Sequence, residues 1–166
     1  MEPAPAGWTR FQVKSKLGAG RDFAVLDGDD RQVFFIDGKM GPRPKADIQD
    51  VAGQTAYSVR GQLLGIPKQM TISDAAGKEV ASLKAKMFSP VKSRMNLTMA
   101  DGDDWSLEGS FIEKNYSMES GGRPVARISQ KWVTLRDAYA LDVADGTDPG
   151  LALAVLWAVD RWVERD

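Results

Sequence analysis

Apolar and polar residues alternate with a period of two along most of this 166-residue chain. Between Thr9 and Leu17, the apolar Phe11 and Val13 are separated by basic or amide residues. This alternation is typical of a β-strand with one buried face. The same pattern predicts further short strands over residues 22–27, 31–37, 55–64, 69–73, 79–87, 94–99, 105–110, 114–119, 124–131 and 139–143. Ten or more short strands separated by turn residues indicate a barrel.

The pattern changes near the end of the chain, where one helix is predicted over about residues 147–164. Thr147 or Asp148 is a suitable N-cap, and Pro149 fits the first helical turn. Residues 151–159 include no polar side chain, so this helix must be buried on every side. The apolar run is far shorter than the about 20 residues that span a bilayer. We therefore expect no transmembrane segment, and a closed sheet wrapped around the helix.

Composition excludes several classes of site. The chain has no histidine and no cysteine, which excludes serine–histidine triads, thiol nucleophiles, disulfides and the usual zinc sites. The net charge of −1 argues against nucleic-acid binding, so any anionic ligand requires a local basic patch. Residues 1–8 read as a short disordered tail without the features of a secretory signal, which predicts a cytoplasmic protein. Residues 9–166 are predicted to form a single domain.

The second half of the chain resembles the LURP-one-related proteins of the tubby-like superfamily, which also includes the phospholipid scramblases. The resemblance is carried by residues 105–111 (WSLEGSF), 115–118 (NYSM), 124–131 (PVARISQK) and the closing run 137–143, with Asp148, Leu151 and Asp160. The first half agrees through residues 11–16 and 72–80. The resemblance implies a mainly β fold, a closed antiparallel β-barrel of about 12 strands around a central C-terminal helix. It implies no particular reaction, although tubby-like domains bind phosphoinositides and scramblases act on membrane lipids.

Two further motifs have simple structural explanations. The Asp-Gly-Asp-Asp sequences at 27–30 and 101–104 lack the ligand spacing of a calcium loop and are predicted to be hairpin turns. The Gly18-Ala-Gly20 segment lacks the lysine and the following helix of a phosphate-binding loop. We predict no metal site, no catalytic residue and no cofactor.

Two basic segments are candidate binding sites for an anionic headgroup. The first choice is Lys84, Lys86, Lys92 and Arg94, which alternate along two strands and would line one groove if those strands are adjacent. The second is Lys39, Arg43 and Lys45, on a loop rich in proline and glycine. The alternative interpretation is an ordinary solvated outer face of the barrel.

These observations favour a non-catalytic binding module that recognises an anionic phospholipid or a protein partner on the barrel exterior. The alternatives are a hydrolase that uses carboxylates and lysines in a rim pocket, and a protein related to lipid scrambling. A central helix argues against the enzyme, because it fills the space in which a barrel enzyme holds its substrate.

Overall fold

The structure, a computed structural model, describes residues 1–16, 22–39, 41–62, 69–84, 88–89, 94–130 and 138–164. These residues form thirteen strands and one helix. The elements are β1 Trp8–Ser15, β2 Phe23–Leu26, β3 Gln32–Gly38, β4 Lys45–Gln49, β5 Thr55–Gly61, β6 Gln69–Asp74, β7 Glu79–Lys84, β8 Phe88–Ser89, β9 Arg94–Met99, β10 Trp105–Ser110, β11 Asn115–Ser120, β12 Arg123–Ser129, β13 Ala138–Ala144 and α1 Pro149–Glu164.

The strands form a closed antiparallel barrel. Strands β1 to β7 pair in chain order, β7 pairs with β9, and the order continues from β9 to β13. Pairing of β13 with β1, from Trp8↔Ala144 to Lys14↔Ala138, closes the ring of twelve strands. The two-residue strand β8 lies beside the half of β9 that β7 does not reach. This architecture confirms the predicted fold class.

Helix α1 fills the barrel as its core. Every residue from Ala152 to Val159 is at most 2% exposed, as expected for an apolar helix enclosed by sheet. Asp148 is the N-cap, because its Oδ1 accepts a hydrogen bond from the Gly150 N–H at 2.9 Å. Its Oδ2 accepts a second one from the Tyr57 hydroxyl at 2.5 Å. The start of the helix is thereby fixed to β5.

The up-and-down order of the strands gives the barrel two chemically different ends. Tight connections at 27–31, 50–54, 75–78, 100–104 and 121–122 share one end with the start of α1, which we call the turn end. Residues 41–44 and the turn Phe111–Lys114 lie at the opposite end, with the last turn of α1. We call this the loop end.

Aspartates organise the hairpins of the turn end. Asp27 Oδ1 accepts hydrogen bonds from the backbone N–H groups of residues 29 and 31, at 2.8 and 3.0 Å. In the same way, Asp50 and Asp74 each accept hydrogen bonds from the backbone N–H groups of the residues two and four positions later. A carboxylate that binds the backbone just after it is a common turn-forming device. These residues are therefore structural, as predicted for Asp27.

Strand β4 was not predicted from the sequence. Its inward residues Ala46 and Ile48 are fully buried, whereas Lys45, Asp47 and Gln49 are only partly buried. The segment 41–45, which we expected to be a loop, ends one residue inside this strand. An alternating pattern of only five residues, directly after Pro42 and Pro44, is too short to distinguish a strand from a loop.

Residues 1–8 were predicted to be a short disordered tail; Trp8 begins β1, and residues before it are hydrogen-bonded to the barrel. The Arg10 Nη1 donates hydrogen bonds to the carbonyl oxygens of Glu2 at 2.9 Å and Pro3 at 3.3 Å. The N–H of Asp145 donates to the Gly7 carbonyl at 2.9 Å. This segment thereby covers part of the outer face of β1.

Candidate ligand-binding site

Lys84 and Arg94, the described members of the first predicted group, both lie on the barrel exterior at the loop end. Lys84 follows the inward Leu83 on β7, and Arg94 precedes the inward Met95 on β9. Arg94 Nη2 contacts Glu108 Oε1 at 3.1 Å, and both side chains are more than half exposed. Lys86 and Lys92 lie outside the described residues. The predicted four-cation groove is therefore described only at these two positions.

Two members of the second predicted group, Lys39 and Lys45, lie in a row with Arg60 on the outer face. The Lys39 N–H donates to the Lys45 carbonyl at 2.8 Å, and Lys45 is the direct partner of Arg60 on β5. Directly opposite residues on antiparallel strands have Cβ atoms about 5 Å apart. We call Lys39, Lys45 and Arg60 the cationic row; exposed Arg43 lies in the connection beside it.

Arg60 is a candidate site residue that the sequence did not reveal. Its position opposite Lys45 depends on β4, which was not predicted. Like charges directly opposite one another destabilise a sheet, so this row has no evident structural benefit. The alternation around Ala46 and Ile48 could have revealed strand β4. Pairing of β4 with the next strand, β5, would then have placed Arg60 opposite Lys45.

Ion pairing differs among these cations. Lys39 binds the carboxylate of Asp37, and this hydrogen bond raises the pKa of the lysine. Within the part of the chain that the structure describes, Arg43, Lys45, Arg60 and Lys84 form no salt bridge. Their charges are available to a ligand.

Hydrogen-bonding groups extend from the cationic row across the outer face. Arg60 is paired with Thr71, and Thr71 with Ser82. Towards the turn end, Arg60 also lines an open depression of about 540 Å³ with Ser58, Ser73 and Asp74. Ser82 is buried, and Asp47 and Asp74 give the depression more negative than positive charge. The cationic row, rather than the depression, is therefore the part of this face that suits an anionic ligand.

Charge is separated between the two ends of the barrel. The turn-end connections and residues 145–148 hold nine aspartates and only two cations, Arg31 and Lys78. The aspartates are Asp27, Asp29, Asp30, Asp50, Asp101, Asp103, Asp104, Asp145 and Asp148. The loop end holds the cationic row, Arg43, Lys84 and the exposed Lys14 and Lys16, together with the acidic Asp22, Asp37, Glu108 and Glu113. Although the net charge of the chain is only −1, its charged residues are therefore distributed unevenly between the two ends of the barrel.

Buried charges on β1, β12 and β13 have a structural role. Arg10 Nε and Nη2 bind the two carboxylate oxygens of Asp142 at 2.6 and 2.9 Å, and Arg127 Nη2 binds Oδ2 at 3.1 Å. Asp142 is fully buried, and the Arg127 guanidinium lies 4.4 Å from the centre of the Trp8 ring. Both carboxylate oxygens are engaged, which leaves this group unsuited to acid–base chemistry.

A second buried charge fixes the end of the helix. Asp160 accepts hydrogen bonds from Lys114 Nζ at 2.6 Å and from the Tyr139 hydroxyl at 3.1 Å. Beside it, Tyr116 is fully buried, and burial followed by the charge of Asp160 raises its pKa well above the usual value. The Tyr116 hydroxyl has no hydrogen-bond partner among the described residues.

Two features are absent from the described residues. No group of three or more acidic residues is arranged to hold a metal ion. No helix in the same ranges is long and apolar enough to cross a bilayer.

Comparison with known proteins places the fold in a family. The family model of the LURP-one-related proteins matches residues 9–160. The uncharacterized protein YxjI of Bacillus subtilis is 24% identical over 157 residues, which cover 93% of this chain and 93% of that protein. An X-ray structure of a protein from Arabidopsis thaliana shares the fold, with a TM-score of 0.70 and 12% identity over 94% of this chain and 91% of that one. The match over nearly the whole barrel and its core helix shows that the chain belongs to the LURP-one-related family.

Proposed function

We propose that this protein is a non-catalytic binding module that recognises anionic phospholipid headgroups through the cations of its loop end. The observation that supports this most is the separation of charge between the two ends of the barrel. Lys45, Arg60 and Lys84 are outside any described ion pair at the loop end, whereas the turn end presents mainly aspartates. A surface of anionic lipid would attract one end and repel the other.

The arrangement favours a lipid headgroup over an enzyme substrate. The helix occupies the barrel interior, with Leu153, Leu156 and Val159 fully buried, so a substrate would have no internal cavity. An exposed row of cations instead binds phosphate oxygens by charge-assisted hydrogen bonds. A protein partner with an acidic surface is the competing ligand, and the experiment below separates the two.

The test compares variants that carry the same change in net charge. The loop-end variant combines Lys45→Gln, Arg60→Gln and Lys84→Gln, and the control combines Arg31→Gln, Lys78→Gln and Arg123→Gln at the turn end. Binding is measured by co-sedimentation with phosphatidylcholine vesicles that contain phosphatidylserine, at low salt. Because each cation near an anionic surface contributes about 1 kcal/mol, we expect the loop-end variant to bind about 100-fold more weakly.

The control variant should bind nearly as tightly as the wild type, and rising salt should weaken wild-type binding by shortening the screening length. A separate variant neutralises Lys84, Lys86, Lys92 and Arg94, the group first predicted from the sequence. Equal binding by the wild type and the loop-end variant would contradict the proposal. Absence of vesicle binding by the wild type would favour a protein partner instead.

A further inference from the structure

Ile112 is an exposed apolar side chain at the loop end. It lies in the turn between β10 and β11 and is 79% exposed. The other large apolar residues that are exposed in the described part of the chain are Val51, at 77%, and Met1, at 50%. Val51 lies in the turn between β4 and β5, at the turn end. The two aliphatic residues thus mark opposite ends of the barrel.

The turn that holds Ile112 is firmly attached to the core. Its first residue, Phe111, is buried, with its ring 5.0 Å from that of Tyr116. Its last residue, Lys114, has a left-handed backbone with φ of 56° and binds Asp160 of the helix at 2.6 Å. A non-glycine residue in this conformation needs support from its surroundings. Ile112 is therefore displayed on a fixed base.

The position of this turn on the rim brings Ile112 and the cations to the same end of the barrel. Strand β10 pairs with β9, and β9 with β7, so the turn follows Arg94 and Lys84 around the loop end. Arg60 and Lys45 continue the same rim on β5 and β4.

Lys45 and Arg60 lie across the ring from Ile112, and exposed Glu108 and Glu113 lie closer to it. The cations and the aliphatic residue therefore share one end of the barrel without adjoining. An anionic membrane surface would contact both if that end docked on it, since charge binds headgroups and apolar groups enter the acyl boundary.

We infer that the barrel docks end-on, with its loop end on an anionic bilayer and Ile112 inserted at the acyl boundary. This inference rests on the proposed function and adds the orientation and an apolar contact. The helix dipole acts against this orientation, because the positive N-terminus of α1 lies at the turn end and the negative C-terminus at the loop end. Exposed Glu113, next to Ile112, opposes docking by repulsion, so Glu113→Gln should strengthen vesicle binding.

The absence of cysteine from the sequence allows a direct test with single labels. Ile112→Cys and Val51→Cys are each labelled with an environment-sensitive fluorophore and mixed with vesicles of phosphatidylcholine and phosphatidylserine. The label at 112 should become brighter and shift to shorter wavelength, whereas the label at 51 should stay unchanged. In unlabelled protein, Ile112→Ser should weaken binding about tenfold, and Val51→Ser should leave it unchanged.

Co-sedimentation of the same samples separates this inference from the proposed function. Vesicle binding without a response at position 112 would overturn end-on docking and leave headgroup binding intact. A response at position 51 that equals or exceeds that at 112 would overturn the orientation. Failure of the wild type to sediment with vesicles would overturn the proposed function, and the inference with it.

Discussion

Individual tyrosines show how one residue type can help or harm the fold. The Tyr57 hydroxyl donates to the N-cap Asp148 and so stabilises the start of the helix. The Tyr116 hydroxyl is buried without a partner among the described residues. On folding it loses its hydrogen bonds to water and gains none in return, which destabilises the folded state. The same chemical change at the two positions should therefore have opposite effects.

We predict that Tyr116→Phe raises the free energy of unfolding by about 1 kcal/mol and that Tyr57→Phe lowers it by about 1 kcal/mol. Urea unfolding at pH 7 measures both. A clear loss of stability in Tyr116→Phe would show that its hydroxyl has a favourable partner, contrary to this prediction.

The same tyrosines predict how stability changes at alkaline pH. Desolvation raises the pKa of both hydroxyls in the folded state, and the nearby Asp148 and Asp160 add to it. A pKa that is raised on folding gives stability that is complete below the unfolded value, about 10, and is lost as pH rises above it. Unfolding measured between pH 9 and 11 should show this loss, and each Phe variant should show less of it.

Buried and exposed ion pairs offer a second contrast at this scale. Asp142 is fully buried between Arg10 and Arg127, whereas the pair of Arg94 and Glu108 is exposed. Removing one partner of a buried pair leaves an uncompensated charge, which costs about 3–5 kcal/mol. An exposed pair contributes about 0–1 kcal/mol.

We therefore predict that Asp142→Asn lowers the free energy of unfolding by about 3–5 kcal/mol and that Glu108→Gln changes it by less than about 1 kcal/mol. Chemical denaturation of the two variants beside the wild type provides the measurement. Similar decreases in the free energy of unfolding of the two variants would indicate that burial of an ion pair does not increase the effect of breaking it.

At the scale of elements, the sequence predicted the helix better than the strands. The helix is marked by a capping aspartate, Pro149 and an uninterrupted apolar run, and all three act locally. Strand β4 is marked only by Ala46 and Ile48, which were not recognised after the prolines. The pairing of Lys45 with Arg60 was missed for the same reason, because register depends on which strands exist.

The helix also allows a matched test of burial. Leu156 is fully buried within the barrel, whereas Leu151 is half-buried in the first helical turn, where a carboxylate suits the helix dipole. Leu156→Asp should prevent soluble folding, since it places an unpaired charge in the core. Leu151→Asp should give folded protein, as judged by solubility and circular dichroism. Soluble, folded Leu156→Asp protein would contradict the enclosed position of the helix.

At the scale of the whole molecule, connectivity determines where charge accumulates. The Asp-Gly-Asp-Asp segments were correctly read as hairpin turns, yet their common location was not predicted. In an up-and-down barrel, every second connection lies at the same end, so aspartates used for alternate turns collect there. The pairing of Arg10 with Asp142, which are 132 positions apart, likewise depends on closure of the ring. Local patterns do not show such relations.

The position of the helix in the chain has a consequence for synthesis. All thirteen strands precede α1, so each leaves the ribosome before the segment that fills the barrel exists. Inward side chains such as Val13, Ile36 and Leu107 then lack their core partner until α1 has been synthesised. Folding is expected to finish only after the residues beyond Asp148 have emerged, and until then the nascent chain presents the alternating apolar segments that chaperones bind.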